Sequence, residues 1–327
     1  MPDHEAIDRQ VETLRNMYVG SERDAEFASH LRRLLKRDAE GALRPEPCKF
    51  TRTGETRGIL HIGEPGSGKS CLVDHALAKQ SGLAEGDFGQ PLYLSCSVPS
   101  PATFKSVTLA LLEETGYTGT PKRMEAWSLW QLLRERLSLL GIVVLWLDEA
   151  HDLFCADRNL ILRAIKTLMQ GDDAVVVILS GTEDLWRVIR TDPQVQRRFS
   201  VMRWSPLTVE RDGEAFRDLI GAFCTRVGLA PPVEGDVIGR LFHASRYRFG
   251  RAIEMIINAI ETALLAEEGH LGLDHFAEVW AMAEGAPATE NVFWVDRWWL
   301  IDPDPAEEVE AAAPTRKRGG AHRRART

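Results

Sequence analysis

The sequence predicts an α/β fold, a parallel five-stranded sheet covered on both faces, followed by a purely helical C-terminal unit. Short apolar runs at 58–62, 91–96, 142–147, 174–179 and 200–204 alternate with amphipathic helical stretches. None shows the in–out alternation of a half-exposed strand, as expected of parallel strands buried on both sides. From Pro206 onward the apolar spacing is helical only, with helices expected near 211–227, 234–246, 250–267 and 273–284. The length of 327 residues suits about two such domains.

Before the sheet, residues 1–40 read as two helices around a break at Tyr18-Val19-Gly20. The second, 21–37, opens on the capping residue Ser21 and carries Phe27, Leu31, Leu34 and Leu35 at helical spacing. Residues 41–57 form a Pro/Gly-punctuated connector. The expected divisions are an N-terminal helical segment (1–45), the α/β core (46–205), the helical lid (206–285) and a terminal region (286–327). That last region holds Phe293, Trp294, Trp298 and Trp299, an acidic-alanine linker and a basic tail. The aromatic stretch 291–300 suits either a docking peptide for another protein or a strand folded back on the lid.

Composition narrows the class. The apolar stretch nearest to a membrane span, 137–147, is interrupted by Ser138 and Gly141 and is about half the needed length, and the start lacks the basic-then-apolar order of a signal peptide. A cytoplasmic protein with no membrane partner is expected. The five cysteines are odd in number and form no C-x-x-C pair, which argues against a disulfide framework or zinc site. The formal charge of −8 hides an asymmetry: residues 315–327 carry six Lys/Arg and no acid, leaving 34 basic and 48 acidic side chains elsewhere. An acidic body disfavours broad coating of DNA but allows a narrow basic seam.

Two motifs carry the chemistry. Gly63-Glu64-Pro65-Gly66-Ser67-Gly68-Lys69-Ser70 satisfies G-x-x-x-x-G-K-[ST] directly after an expected strand. Its backbone amides and the following helix N-terminus suit the phosphates of ATP. Lys69, expected in a solvated loop, reaches the β- and γ-phosphates, Ser70 binds Mg2+, and Cys71 flanks the site. The second motif is the strand ending in Asp148-Glu149, at the sheet end where α/β folds bind ligands. Asp148 is the expected second magnesium contact and Glu149 the base for the attacking water.

Flanking residues complete the expected site. The strand 174–179 ends in Ser180-Gly181-Thr182, with Thr182 the first choice for contacting the water or γ-phosphate and Ser180 the second. Arg198, ahead of Arg197, is the expected finger inserted into a neighbour's ATP site; the same pair also suits a surface helix cap. In the lid, Arg251 is the expected nucleotide sensor and Arg248 the runner-up.

Together these residues resemble the AAA+ ATPases over about residues 15–285. Within them the chain looks similar to the TniB/TnsC transposition group, through the DEAHDLF run (148–154), the ILSGTEDL run (178–185) and Gln196-Arg197-Arg198-Phe199 leading into Trp204. The resemblance implies that Tyr18 and Val19 line the adenine pocket. It also implies an ATP-dependent homo-oligomer, ring or helical filament, that binds double-stranded DNA with little sequence preference and links target selection to a transposase. Related members place phosphate-tracking loops in the segment equivalent to 97–136, which points to Lys105, Lys122 and Arg123, with Thr103 and Thr120 as neutral contacts. The same residues also suit a solvated helix face and loop. Two other activities remain open: remodelling of protein substrates, although the stretch after the second strand lacks an aromatic-glycine pore loop, and a nucleotide-switched scaffold with little hydrolysis.

Overall fold

The computed structural model describes residues 3–119, 123–154, 158–233 and 235–304. Five strands form its central sheet: β3 (Gly58–Ile62), β4 (Tyr93–Ser97), β5 (Val144–Asp148), β6 (Val176–Gly181) and β7 (Phe199–Arg203). They run parallel in the order β4-β5-β6-β3-β7. Each lies within two residues of an expected apolar run.

Alternate residues of these strands serve two cores. Leu60, Leu145, Leu147, Val177 and Leu179 face α4 (Phe104–Glu114), α5 (Ala126–Leu139) and α6 (Arg158–Leu168). Ile59, Val144, Trp146, Val176 and Ile178 face α2 (Glu22–Leu31) and α3 (Lys69–Ala78). Burial on both faces explains why the strand sequences show no polar alternation.

The N-terminal region departs from expectation. The helix expected over 21–37 ends at Leu31, and residues 35–47 form a hairpin, β1 (Leu35–Arg37) against β2 (Leu43–Pro47), instead of a connector. Leu34 and Leu35 are buried as predicted, but on a turn and a strand. Their spacing suits either geometry, and pairing with β2 decided it. The two N-terminal helices also belong to different bodies. α1 (His4–Arg15) puts Ile7, Val11 and Leu14 into the lid core, whereas α2 packs on the sheet.

The lid comprises α9 (Val209–Val227), α10 (Val237–Ala244), α11 (Phe249–Leu265) and α12 (Leu273–Glu284), close to the predicted helices; α7 (Glu183–Ile189) and α8 (Pro193–Gln196) precede β7 in the core. The lid continues past the expected boundary at 285. Val292 and Phe293 are buried in its core, and Phe293 stacks on Phe276. Arg240 donates to the Val292 and Val295 carbonyls at 2.6 and 2.9 Å, and His243 Nε2 contacts the Ile301 carbonyl at 2.7 Å. Residues 291–301 pack on the lid as expected of one reading of the aromatic stretch, but as turns and a short 3-10 helix instead of a strand, while Trp294 and Trp299 keep about half their surface exposed. The tail 315–327 lies outside the described residues. No helix among those described is long and apolar enough to cross a membrane.

Candidate active site

The phosphate loop connects β3 to α3. Gly66 turns it with φ +76°, a conformation that suits glycine because a Cβ would crowd the carbonyl. Gly68 then caps α3, so the free amides of the first helical turn converge on the loop. Ser70 and Cys71 are exposed there. Lys69 differs from expectation: it is 4% exposed, and its ammonium donates to the Gly63 and Glu64 carbonyls at 2.7 and 3.1 Å. Burial lowers its pKa, opposed by the carboxylates of Glu149, Asp148 and Glu64. It is a buried, hydrogen-bonded cation and not a solvated one.

Strand order brings the other motifs to this loop. β6 lies between β3 and β5, and the Gly63 amide donates to the Gly181 carbonyl at 3.0 Å, which sets Thr182 between the phosphate loop and Asp148-Glu149. The Thr182 hydroxyl is buried without a partner among the described residues, as a group reserved for a ligand would be. Ser180, the second choice, is fully buried and accepts from the Trp146 indole at 3.0 Å, which makes it part of the core. Glu149 sits at φ +51°, unusual for a non-glycine residue. Its carboxylate lies 3.2 Å from His151 Nδ1, a neighbour that sequence reasoning did not single out.

The lid docks directly on the phosphate loop. The Arg251 amide donates to the Gly66 carbonyl at 3.0 Å, and its side chain runs along Gly66, where an added Cβ would fall 2.8 Å from Arg251 Cγ. Burial lowers the Arg251 pKa, helped by Arg246 and Arg248. Arg248 approaches the Glu64 carboxylate at 3.7 Å. Both lid arginines therefore touch the loop, Arg251 more intimately.

Beside the loop opens a cavity of about 550 Å³, between the sheet body and the lid. Tyr18 and Val19 line it, together with Gly68 and Cys71. Tyr18 stacks on His75 with ring centroids 3.5 Å apart and donates its hydroxyl to Asp24. Sequence reasoning missed Trp204, Phe249, Ile253 and Asn258 in the same wall. Phe249, Ile253 and Asn258 lie on α11, whose helical spacing reads as ordinary core until the lid is placed against the loop, and Trp204 directly follows β7.

The finger assignment needs correction. Arg198 is 5% exposed, bonded to the Glu55 carboxylate at 2.6 Å and the Lys166 carbonyl at 2.9 Å. So engaged, Arg198 is held inside its own chain and is not presented at the surface. Arg197 keeps 57% of its side chain exposed, although it too contacts Glu55, at 2.9 Å. Among the DNA candidates, the starts of α4 and α5 meet through Phe104 and Trp127, rings 5.2 Å apart, which brings Lys105 and Arg123 to one end of the two helices. The Thr103 hydroxyl is occupied in capping α4, accepting from the Ser106 amide at 3.0 Å. Thr120 and Lys122 lie outside the described residues.

Comparison with known proteins sets this geometry in context. The family model for bacterial TniB protein matches residues 46–208. No curated protein matches the chain by sequence. Among solved structures, the Orc1 protein of Aeropyrum pernix in complex with DNA is similar at a TM-score of 0.55 and 18% identity, covering 89% of this chain and 67% of that one. Cdc6p from Pyrobaculum aerophilum gives 0.50 and 16%, covering 71% and 64%; the Orc2 protein of Aeropyrum pernix gives 0.50 and 15%, covering 71% and 65%. The chain thus spans about two thirds of each of these relatives, and at such identities the likeness concerns the fold.

Proposed function

We propose, for a chain that belongs to the TniB family through residues 46–208 and has the AAA+ fold, an ATPase that regulates DNA transposition, its ATP state controlling oligomer assembly on duplex DNA and recruitment of a transposase. The observation that carries the ATPase reading is the convergence on one loop of Lys69, the Asp148-Glu149 strand end, the unpartnered Thr182 hydroxyl and the lid's Arg251. The DNA and transposase parts rest on the family and on the basic residues near α4 and α5.

The chain's own groups have separable tasks. The loop amides and Lys69 hold the ATP phosphates, and the 550 Å³ cavity takes the base and ribose. The Ser70 hydroxyl and Asp148 carboxylate fit magnesium, an oxygen-seeking cation that supplies charge neutralisation at the phosphates when bound. Thr182 orients the attacking water. Glu149 takes the water proton as its oxygen bonds to the γ-phosphorus and the bond to the β-phosphate oxygen breaks, yielding ADP and phosphate. Arg197 of an adjacent subunit would oppose the charge developing on the transferred group.

The test is nucleotide binding, hydrolysis and electron microscopy with duplex DNA on three proteins. The wild type should hydrolyse ATP and form nucleotide-dependent assemblies. Lys69→Ala should lose ATP affinity, and Glu149→Gln should bind ATP, fail to turn it over and accumulate assembled on DNA. Normal turnover by a folded Glu149→Gln protein would remove Glu149 as the base. A wild type that binds ATP without hydrolysing it would favour the nucleotide-switched scaffold.

A further inference from the structure

Between residues 32 and 57 the chain carries eight Lys/Arg and four acids, against the acidic balance of the remaining body. The fold gathers the first of these cations. Because α2 stops at Leu31, Arg32 and Arg33 leave its C-terminus while Leu34 and Leu35 turn inward, and β1 then presents Lys36 and Arg37. These four line one concavity of about 680 Å³, with Asp38, Ala39, Gly41 and Cys48 on its walls. Arg44 is exposed beside it on β2, next to Leu43, the register partner of Arg37.

Among the described residues little of this charge is neutralised by ion pairs. Lys36 pairs with Glu46, but Arg32, Arg33, Arg37 and Arg44 form no ion pair with a described residue. The one acid lining the concavity, Asp38, accepts from the Ala42 amide at 2.8 Å across its own hairpin turn. Glu55 is buried against Arg197 and Arg198. The site also lies apart from the nucleotide. His30, near the end of α2, meets Ser200 at 2.8 Å, and Ser200 pairs with Ile59 near the start of β3, whereas the phosphate loop follows the other end of that strand.

We propose that Arg32, Arg33, Lys36, Arg37 and Arg44 form a second contact surface for the phosphate backbone of duplex DNA. This rests on the DNA-binding reading above and adds to it a site on the opposite face of the sheet from α4 and α5. An acidic protein partner fits less well, because the concavity offers no aromatic or large apolar anchor: its one large apolar residue, Leu35, is 1% exposed. A single strand would call for exposed rings to stack its bases, and none lines it. Phosphates require only charge and reach, which these side chains supply. The acidic remainder repels the duplex elsewhere and so confines it to surfaces where the sign reverses.

The experiment measures duplex affinity over a salt series, with ATP, for the full chain, for an Arg32→Gln/Arg33→Gln/Arg37→Gln variant and for a Lys105→Gln/Arg123→Gln variant. Losing three phosphate contacts should lower the slope of log affinity against log salt by about 0.9 each, close to three units per chain at most. ATP hydrolysis without DNA should be unchanged, and the corresponding triple lysine variant should restore the slope, since phosphate contact needs charge rather than guanidinium shape. An unchanged slope in a folded, hydrolysing triple glutamine variant overturns the proposal. So does a variant that keeps its DNA slope but loses affinity for poly-glutamate, which would assign the surface to an acidic protein. A wild type that binds no duplex in any nucleotide state would sink the DNA reading itself, and this surface with it. Sensitivity of the slope to the Lys105/Arg123 variant alone would overturn only the surface.

Discussion

Replacing Gly250 with alanine would place a methyl carbon 2.7 Å from the Gly66 carbonyl oxygen and 3.3 Å from the Gly68 amide nitrogen. Both are backbone atoms of the phosphate loop, so neither can swing aside as a flexible side chain would. Either α11 backs away from the loop or the loop deforms, and overpacking of this kind costs about 1–3 kcal/mol. Helix propensity acts in the opposite direction, because alanine is favoured over glycine within a helix by up to about 1 kcal/mol. With full compensation the net loss of stability is about 0–2 kcal/mol. ATP affinity has no such compensation: if the lid must sit against the loop to hold nucleotide, 1–3 kcal/mol corresponds to a loss of roughly 5- to 150-fold. The assay is titration with a fluorescent ATP analogue beside thermal unfolding. Gly221→Ala is the control, since a Cβ on that α9 glycine meets nothing within 4 Å; it should leave affinity alone and raise stability. Wild-type ATP affinity in a folded Gly250→Ala protein would refute the idea that lid contact at Gly66 is part of the nucleotide site.

The two adjacent arginines should separate by assay. Arg198→Ala leaves the buried Glu55 carboxylate with only the half-exposed Arg197 as its ion-pair partner and should destabilise the fold by about 1.5–3 kcal/mol in denaturant unfolding, whereas Arg197→Ala should unfold nearly normally yet lose oligomer-dependent hydrolysis; equal stability for both would contradict the buried pairing. His61 predicts a pH effect: burial, assisted by nearby Lys69 and His30, pushes its pKa down to about 3, and the Trp204 indole N–H donates to its Nε2. Between about 6.5 and 3 the unfolded chain binds a proton that the folded one excludes, so stability is full above 6.5 and falls by about 1.4 kcal/mol per unit as pH drops. Urea titrations across that window should show the slope flatten in His61→Gln, and an unchanged slope would refute the assignment.

The sequence by itself determined the parts whose chemistry is local. Gly63–Ser70 and Asp148-Glu149 are each contiguous, and their flanking apolar runs are long enough to read as buried strands, so the sheet and the two motifs were legible without coordinates. The lid helices were legible for the same reason, since a sustained period near 3.6 depends on neighbours a few residues away. Tertiary structure decided whatever depended on which surface meets which. Periodicity shows that Ile7, Val11 and Leu14 form an apolar face, but not that this face covers the lid while α2 covers the sheet. Leu34 and Leu35 fit a helix as well as a strand until β2 pairs with β1. Arg197 and Arg198 are chemically equal in sequence; the fate of each depends on Glu55, more than a hundred residues earlier, which buries one and leaves the other half in solvent. Trp204 and Phe249 became walls of the cavity beside the loop only because Gly250 lets α11 approach the loop to within backbone contact. Such pairings follow from packing between segments distant in the chain, and only the folded arrangement decides them.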